Sequence, residues 1–172
     1  MQKEYDRKDV SMNVEYMNIL TIETPEILNQ YKENLFSTYG NNPPKAVLML
    51  GNAPLILRDD MRRHWGDIPL IVCAESRYIG PDSTYMYNQI IPYKDRIYLK
   101  DLRNEYNMTF LAARAFIPES VQLLRRMIPK MKSLLLIGDQ TDRDIDYDQQ
   151  LSELINTEYT DINYKFLSAG AW

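Results

Sequence analysis

Three short apolar runs, each ending in small and polar residues, constrain the fold of this chain more than any other feature. They read KAVLMLGN (45–52), IPLIVCAES (68–76) and KSLLLIGDQ (132–140). A run this short, bounded by turn residues, fits a strand buried on both faces, as in a parallel sheet covered by helices. In open sheets of this kind ligands bind beyond the carboxyl ends of the strands. The pattern therefore predicts an α/β fold whose site is built on Gly51-Asn52, Glu75-Ser76 and Gly138-Asp139, converging along one rim of parallel β-structure.

Helical segments separate the runs. Thr24-Pro25-Glu26 has the form of a helix start: a capping hydroxyl, proline at the first helical position, then an acid at the positive end of the dipole. Leu28, Tyr31, Leu35 and Tyr39 follow at helical spacing, with Gly40 as the stop. Asn52 is placed to cap a second helix with Leu57, Met61 and Trp65 on one face, ended by Gly66. From residue 77 to about 105 no period is clean, and Tyr78, Tyr85, Tyr87, Tyr93, Tyr98 and Tyr106 are spread through it. A long irregular segment inside a compact domain is more often functional than idle. MTFLAA (108–113) reads as a strand, Pro118 opens a helix carrying Val121, Leu124 and Met127, a helix around 146–157 buries Leu151, Leu154 and Ile155, and YKFLSA (164–169) starts one more strand.

Length and charge bound the function. At 172 residues the chain makes one ordinary domain, or one lobe plus part of another. A net charge of −4 with no basic stretch argues against nucleic acid or anionic lipid as the main partner. No apolar stretch is long enough to cross a bilayer, and the polar start MQKEYDRKD has no leader pattern. One cysteine excludes an internal disulfide.

Asp142, Asp144, Asp146, Asp148, Gln150 and Glu153 fall at the ligand spacing of a calcium loop, but Tyr147 stands where such a loop needs glycine. An acidic helix N-terminus, favoured by the macrodipole, is the better reading. His64, the only histidine, sits near a helix end and suits a surface role, and Cys73 lies inside an apolar strand as a buried, inert thiol. With one His and one Cys the common zinc sites are excluded. Neither G-x-G-x-x-G, G-x-x-x-x-G-K-[ST] nor G-x-S-x-G occurs, so dinucleotide, P-loop and α/β-hydrolase chemistry have no support. No cofactor is expected. The tyrosines of 78–106 suit either a stacking surface or the packing of a long segment onto the body of the domain.

VEYMN (14–18), NPPKAVLMLGN (42–52), RDDMRRHWGDIPLIVCAES (58–76) with YIGP (78–81), YNMTFL (106–111), LLRRMIPKMKSLLLIGD (123–139) and YKFLSAG (164–170) together resemble the extracytoplasmic N-terminal sensor region of bacterial hybrid two-component histidine kinases. That region is similar to ABC-transporter substrate-binding proteins of the periplasmic-binding-protein-like type I fold. The resemblance implies a Rossmann-like parallel-sheet α/β sandwich, present here as a fragment. Residues 1–116 would form a first lobe lacking its N-terminal part; 117–172 would form the crossing helix and the start of a second. It implies a periplasmic sensor of a membrane-anchored parent protein, itself no enzyme, that binds a small molecule between lobes, with a homodimer as one assembly open to it. Positions matching the ligand cleft are Gly51, Asn52, Ala53, Glu75, Ser76, Tyr78, Asp139 and Gln140. TFLAA stands where binding proteins often carry a Thr-Gly turn, which leaves the ligand open. Two other classes compete: a small α/β enzyme using Glu75 or Asp139 as general base, and a pure interaction module.

Overall fold

The computed structural model describes residues 11–18, 21–22, 24–81, 92–139 and 141–168. It is a mixed α/β protein with parallel strands and packed helices. Helix α1 (Pro25–Tyr39) starts as its sequence predicts, with Thr24 accepting a hydrogen bond from the Ile27 amide at 3.4 Å. Strand β1 (Val47–Leu50) leads through a 3-10 turn (Ala53–Leu57) into α2 (Arg58–Trp65), which stops at Gly66 with φ +76°. Strand β2 (Leu70–Ala74) pairs in parallel with β1 on one side and with β5 (Met108–Ala112) on the other.

Between β2 and β5 lie β3 (Tyr78–Ile79), β4 (Ile97–Tyr98) and the short helix α3 (Leu99–Glu105). Strands β3 and β4 form an antiparallel pair, Tyr78 opposite Tyr98. Helix α4 (Ile117–Met127), β6 (Ser133–Gly138), α5 (Asp142–Glu158) and β7 (Asn163–Ser168) complete the chain. Helix α5 begins four residues before the expected 146, because Thr141 caps it by accepting from the Asp144 amide.

Two findings correct the sequence expectation. First, β6 does not join the sheet of β1 and β2; it pairs in parallel with β7 in a sheet of its own. The local β6–α5–β7 crossover occupies an edge of β6 with a neighbour close in sequence, which costs less loop entropy than a distant partner. Second, the strands are covered on one face only. The order β1-β2-β5 never reverses, so successive crossovers of one hand bring their helices to the same face. Met49, Leu70, Val72, Ala74 and Met108 point into that covered side and are buried. Leu48, Leu50, Ile71 and Leu111 point the other way and are exposed, Leu50 by 72%. On the second sheet Leu135 and Ile137 are likewise exposed. Cys73 shares the open face and is half-buried, not buried.

Two hydrophobic clusters result. The first gathers α1, the 3-10 turn, α2, α3 and the β1-β2-β5 sheet around Leu55, Ile56, Val72 and Ile79; the second gathers Val121, Met131, Leu151, Ile155 and Ile162. They share no buried residue. Between them the chain runs through residues 113–116, which carry no regular structure.

Tyr106 closes the first cluster at the end of α3. It is buried, donates its hydroxyl hydrogen to Asp59, and has the Arg62 guanidinium 5.5 Å from its ring centre. Burial first, then the bond to Asp59 and that group's charge, push its phenol up to about 12 from the ordinary 10.0. The folded state thus holds this proton more tightly than the unfolded chain does. The resulting stabilisation is full below pH 10 and is lost as pH rises through about 12. Ultraviolet titration of tyrosinate should show a step near pH 12 that Tyr106→Phe removes, along with part of the alkaline loss of stability.

Candidate functional site

The carboxyl ends of β1 and β2 lie side by side. The Gly51 amide donates to Cys73 O at 2.9 Å, extending the ladder by one step, and Gly51 then turns the chain with φ +85°. That conformation is costly for a residue with a Cβ, and here a Cβ would also stand 3.0 Å from Glu75 Oε1. Gly51→Ala is therefore expected to lower stability by about 1–2 kcal/mol, read as a fall in the urea midpoint at unchanged slope.

Asn52, 5% exposed, is not the helix cap its position suggested; its side chain makes no cap bond. It reaches across to the end of β2 instead. Nδ2 donates to Ser76 Oγ at 2.7 Å and to Tyr78 O at 3.3 Å, while Oδ1 accepts from the Glu75 amide at 2.9 Å. Ser76, also buried, donates its hydroxyl to Tyr78 O. Asn52 and Ser76 thus spend their polar atoms holding the 75–78 turn in shape. Glu75 is left exposed on that turn, and Ala53 is half-buried beside it in sequence.

Behind the turn, Tyr78 stacks on Tyr98 with ring centres 4.9 Å apart and packs against Tyr93 at 4.7 Å. Burial, then a hydrogen bond and charge coupling with Tyr78, hold the Tyr93 phenol well above its ordinary value. Three of the irregular segment's tyrosines thus pack on one another; Tyr85 and Tyr87 lie outside the described residues.

Asp139 stands at the end of β6, on the other sheet, and is exposed; Gln140 lies outside the described residues. The Asp139 amide donates to Asp144 Oδ2 at 2.9 Å, and Asp139 Oδ1 accepts from the Thr141 amide at 2.8 Å. Gly138 permits this, since a Cβ there would meet Asp144 Oδ2 at 2.6 Å. Burial opposes the charge on Asp139, but bonds from the Thr141 hydroxyl and amide, together with Asp144 and the Arg143 charge, outweigh it and hold the carboxyl below its usual value.

The two sheets' endings meet through α5. Arg143 is held protonated first by its bond to Asp144 and that group's charge, with a smaller contribution from Glu75. Asp146, 2% exposed, accepts the Arg77 amide at 2.8 Å on Oδ2 and the Arg77 Nη2 at 2.8 Å on Oδ1. Arg96, immediately before β4, pairs with Asp142 one turn earlier on α5. Neither arginine was singled out in the sequence. Asp142 and Asp146 stand out in the sequence only through the calcium-loop spacing and the acidic helix start, neither of which points to an arginine partner. Among the described residues no group of His, Cys, Asp and Glu is arranged to hold a metal ion. His64 is exposed near the end of α2 and stacks on Phe36 at 4.5 Å, in keeping with a surface role.

Comparison of the chain with protein-family models, with curated proteins and with solved structures finds no match in any of the three. Among the described residues no helix is long and apolar enough to cross a membrane.

Proposed function

We propose that this chain is a ligand-sensing input domain of a two-component sensor histidine kinase, with its site at the seam between the two packed parts. On this reading the fold is periplasmic-binding-protein-like type I, the domain lies outside the cytoplasm, and it performs no catalysis itself. The observation that supports it best is the joining of the 75–78 turn, which carries Glu75, to α5 through the Arg77–Asp146 hydrogen bonds, beside an aromatic cluster. A small-molecule site needs a few convergent polar groups beside apolar rings, placed between parts able to move, and on this reading the seam would supply them. A ligand bound there would favour one arrangement of the parts, which a linked kinase would read as a population shift. Glu75, Asp139 and Tyr78 are the direct contacts on this reading; Asn52, Ser76 and Gly51 position them. The enzyme alternative draws less support, because hydrogen bonds already engage Asp139 and lower its basicity.

Thermal-shift screening with sugars, amino acids and nucleosides tests the proposal. A sensor should gain stability with a compound in proportion to the logarithm of its concentration, about 2.7 kcal/mol at a hundred times Kd, and Glu75→Ala should remove most of that gain. Turnover of a compound would favour the enzyme. Stability that rises with protein concentration and ignores every compound would favour the interaction module.

A further inference from the structure

We infer that the two packed parts are closed on each other by an ion-pair latch, Arg77 with Asp146 and Arg96 with Asp142, and that the seam opens when the latch loses its charge. The inference does not require that any ligand binds. Both acids come from one face of α5, four residues apart, and both arginines flank the β3–β4 pair of the other part. Three of the four charged side chains are out of solvent, Asp146 at 2% exposed, Arg96 at 1% and Asp142 at 8%; Arg77, at 39%, reaches the surface. Among the described residues the apolar clusters on either side share no buried member, so no continuous hydrophobic core of those residues binds the parts together.

That division sets the energetics. Opening an apolar seam exposes surface at about 25 cal/mol per Å² with nothing regained. Opening a charged seam loses the Coulomb attraction but returns each ion to water, recovering the desolvation cost of closure. The balance is a small difference of large quantities, which suits a two-state element that modest inputs can tip. The geometry also fixes the closed state: the Arg77 guanidinium meets Asp146 through Nη2 at 2.8 Å and Nε at 3.0 Å, while its own amide holds the second oxygen. A two-pronged contact of this kind defines an orientation, whereas a single point charge does not.

Spin labels at opposite far ends read the opening. In a Cys73→Ser background, Asn42→Cys precedes β1 and Glu158→Cys ends α5, both exposed and both remote from the seam. Pulsed electron-paramagnetic-resonance distances should show one dominant population. Asp142→Asn with Asp146→Asn keeps the side-chain shape and removes the charge. It should lower the ratio of this population to a longer-distance one by at least about tenfold, with far-UV circular dichroism unchanged. Arg125→Gln, which breaks the Arg125–Asp161 pair within one part, should leave the distances alone. A double variant that keeps the parent distribution overturns the latch, as does an Arg125→Gln shift of equal size. Should that double variant lose its secondary structure, Arg77→Gln with Arg96→Gln decides, since it removes the charges of the same two pairs from the other side of the seam. It should populate the longer distance, and an unchanged distribution overturns the inference.

Discussion

Leu55→Ala is expected to lower the free energy of unfolding by about 2–5 kcal/mol, the range for deleting a fully enclosed leucine. Leu55 is 0% exposed in the 3-10 turn between β1 and α2. It belongs to the cluster of Met49, Val72 and Ile79, so truncation removes contacts to the sheet and to the hairpin together. The turn is fixed at both ends, by Asn52 at its start and by the Arg58 Nη1 bond to Leu55 O at 2.9 Å. Collapse around the missing atoms is therefore restricted, and a restricted site sits toward the costly end of the range. The loss should be confined. Hydrogen exchange followed by mass spectrometry should quicken in peptides of α1, α2 and β2, while those of α4 and α5 keep their protection, because the second cluster shares no buried residue with the first. Equal deprotection throughout would mean that the two parts unfold as one.

What the sequence disclosed follows the range of the interactions involved. Caps and proline starts are local, and Thr24-Pro25, Pro118 and the Gly66 stop appear where residue chemistry puts them. The apolar runs became strands because a short β-rich segment between turns has few alternatives. Their partners were another matter. Nothing in KSLLLIGDQ distinguishes pairing with β2 from pairing with β7, and that choice placed Asp139 on a different sheet from Glu75. Two-residue strands such as β3 and β4 carry no period at all, and α3 offers only Leu99 and Leu102 as buried members.

The latch was the hardest to see, since Arg77 and Asp146 are 69 positions apart. Nor was there a local clue: the expected helix start near 146 puts Asp146 in the first turn, where the macrodipole favours acids, and only the cap at Thr141 makes it the fifth residue of α5. Its cation there is Arg77, itself half-buried. The runs' apolar content misled in the opposite sense. Parallel strands are ordinarily covered on both faces, yet Leu50 stands 72% exposed, because the strand order turns all crossovers of the first sheet to one side; Ile137, 70% exposed, lies on β6, whose two-stranded sheet has a single crossover. Binary pattern reports how apolar a strand is; topology decides which of its faces is covered.

The candidate site's shape depends most on Asn52, and two substitutions there separate its donors from its acceptor. Asn52→Ala should cost about 1–3 kcal/mol, because it strips the part-buried Glu75 amide of its partner and leaves a polar pocket lined by the buried Ser76 Oγ. Asn52→Asp keeps the size and the acceptor for the Glu75 amide but replaces the donor to Ser76 Oγ and Tyr78 O with a charge facing a carbonyl oxygen 3.3 Å from the original nitrogen. Its cost at neutral pH should match or exceed that of alanine. It should also depend on pH in a definite direction. Only the protonated carboxyl can donate to Tyr78 O, so folding raises the pKa of the introduced acid. The stabilisation is then complete below the unfolded value near 4 and is lost as pH rises through the folded one. Urea midpoints for Asn52→Asp, taken relative to the parent protein, should accordingly recover as pH is lowered from about 7 toward 4, while those for Asn52→Ala stay level. A parallel response in both variants would mean that the 75–78 turn is held by something other than the Asn52 amide.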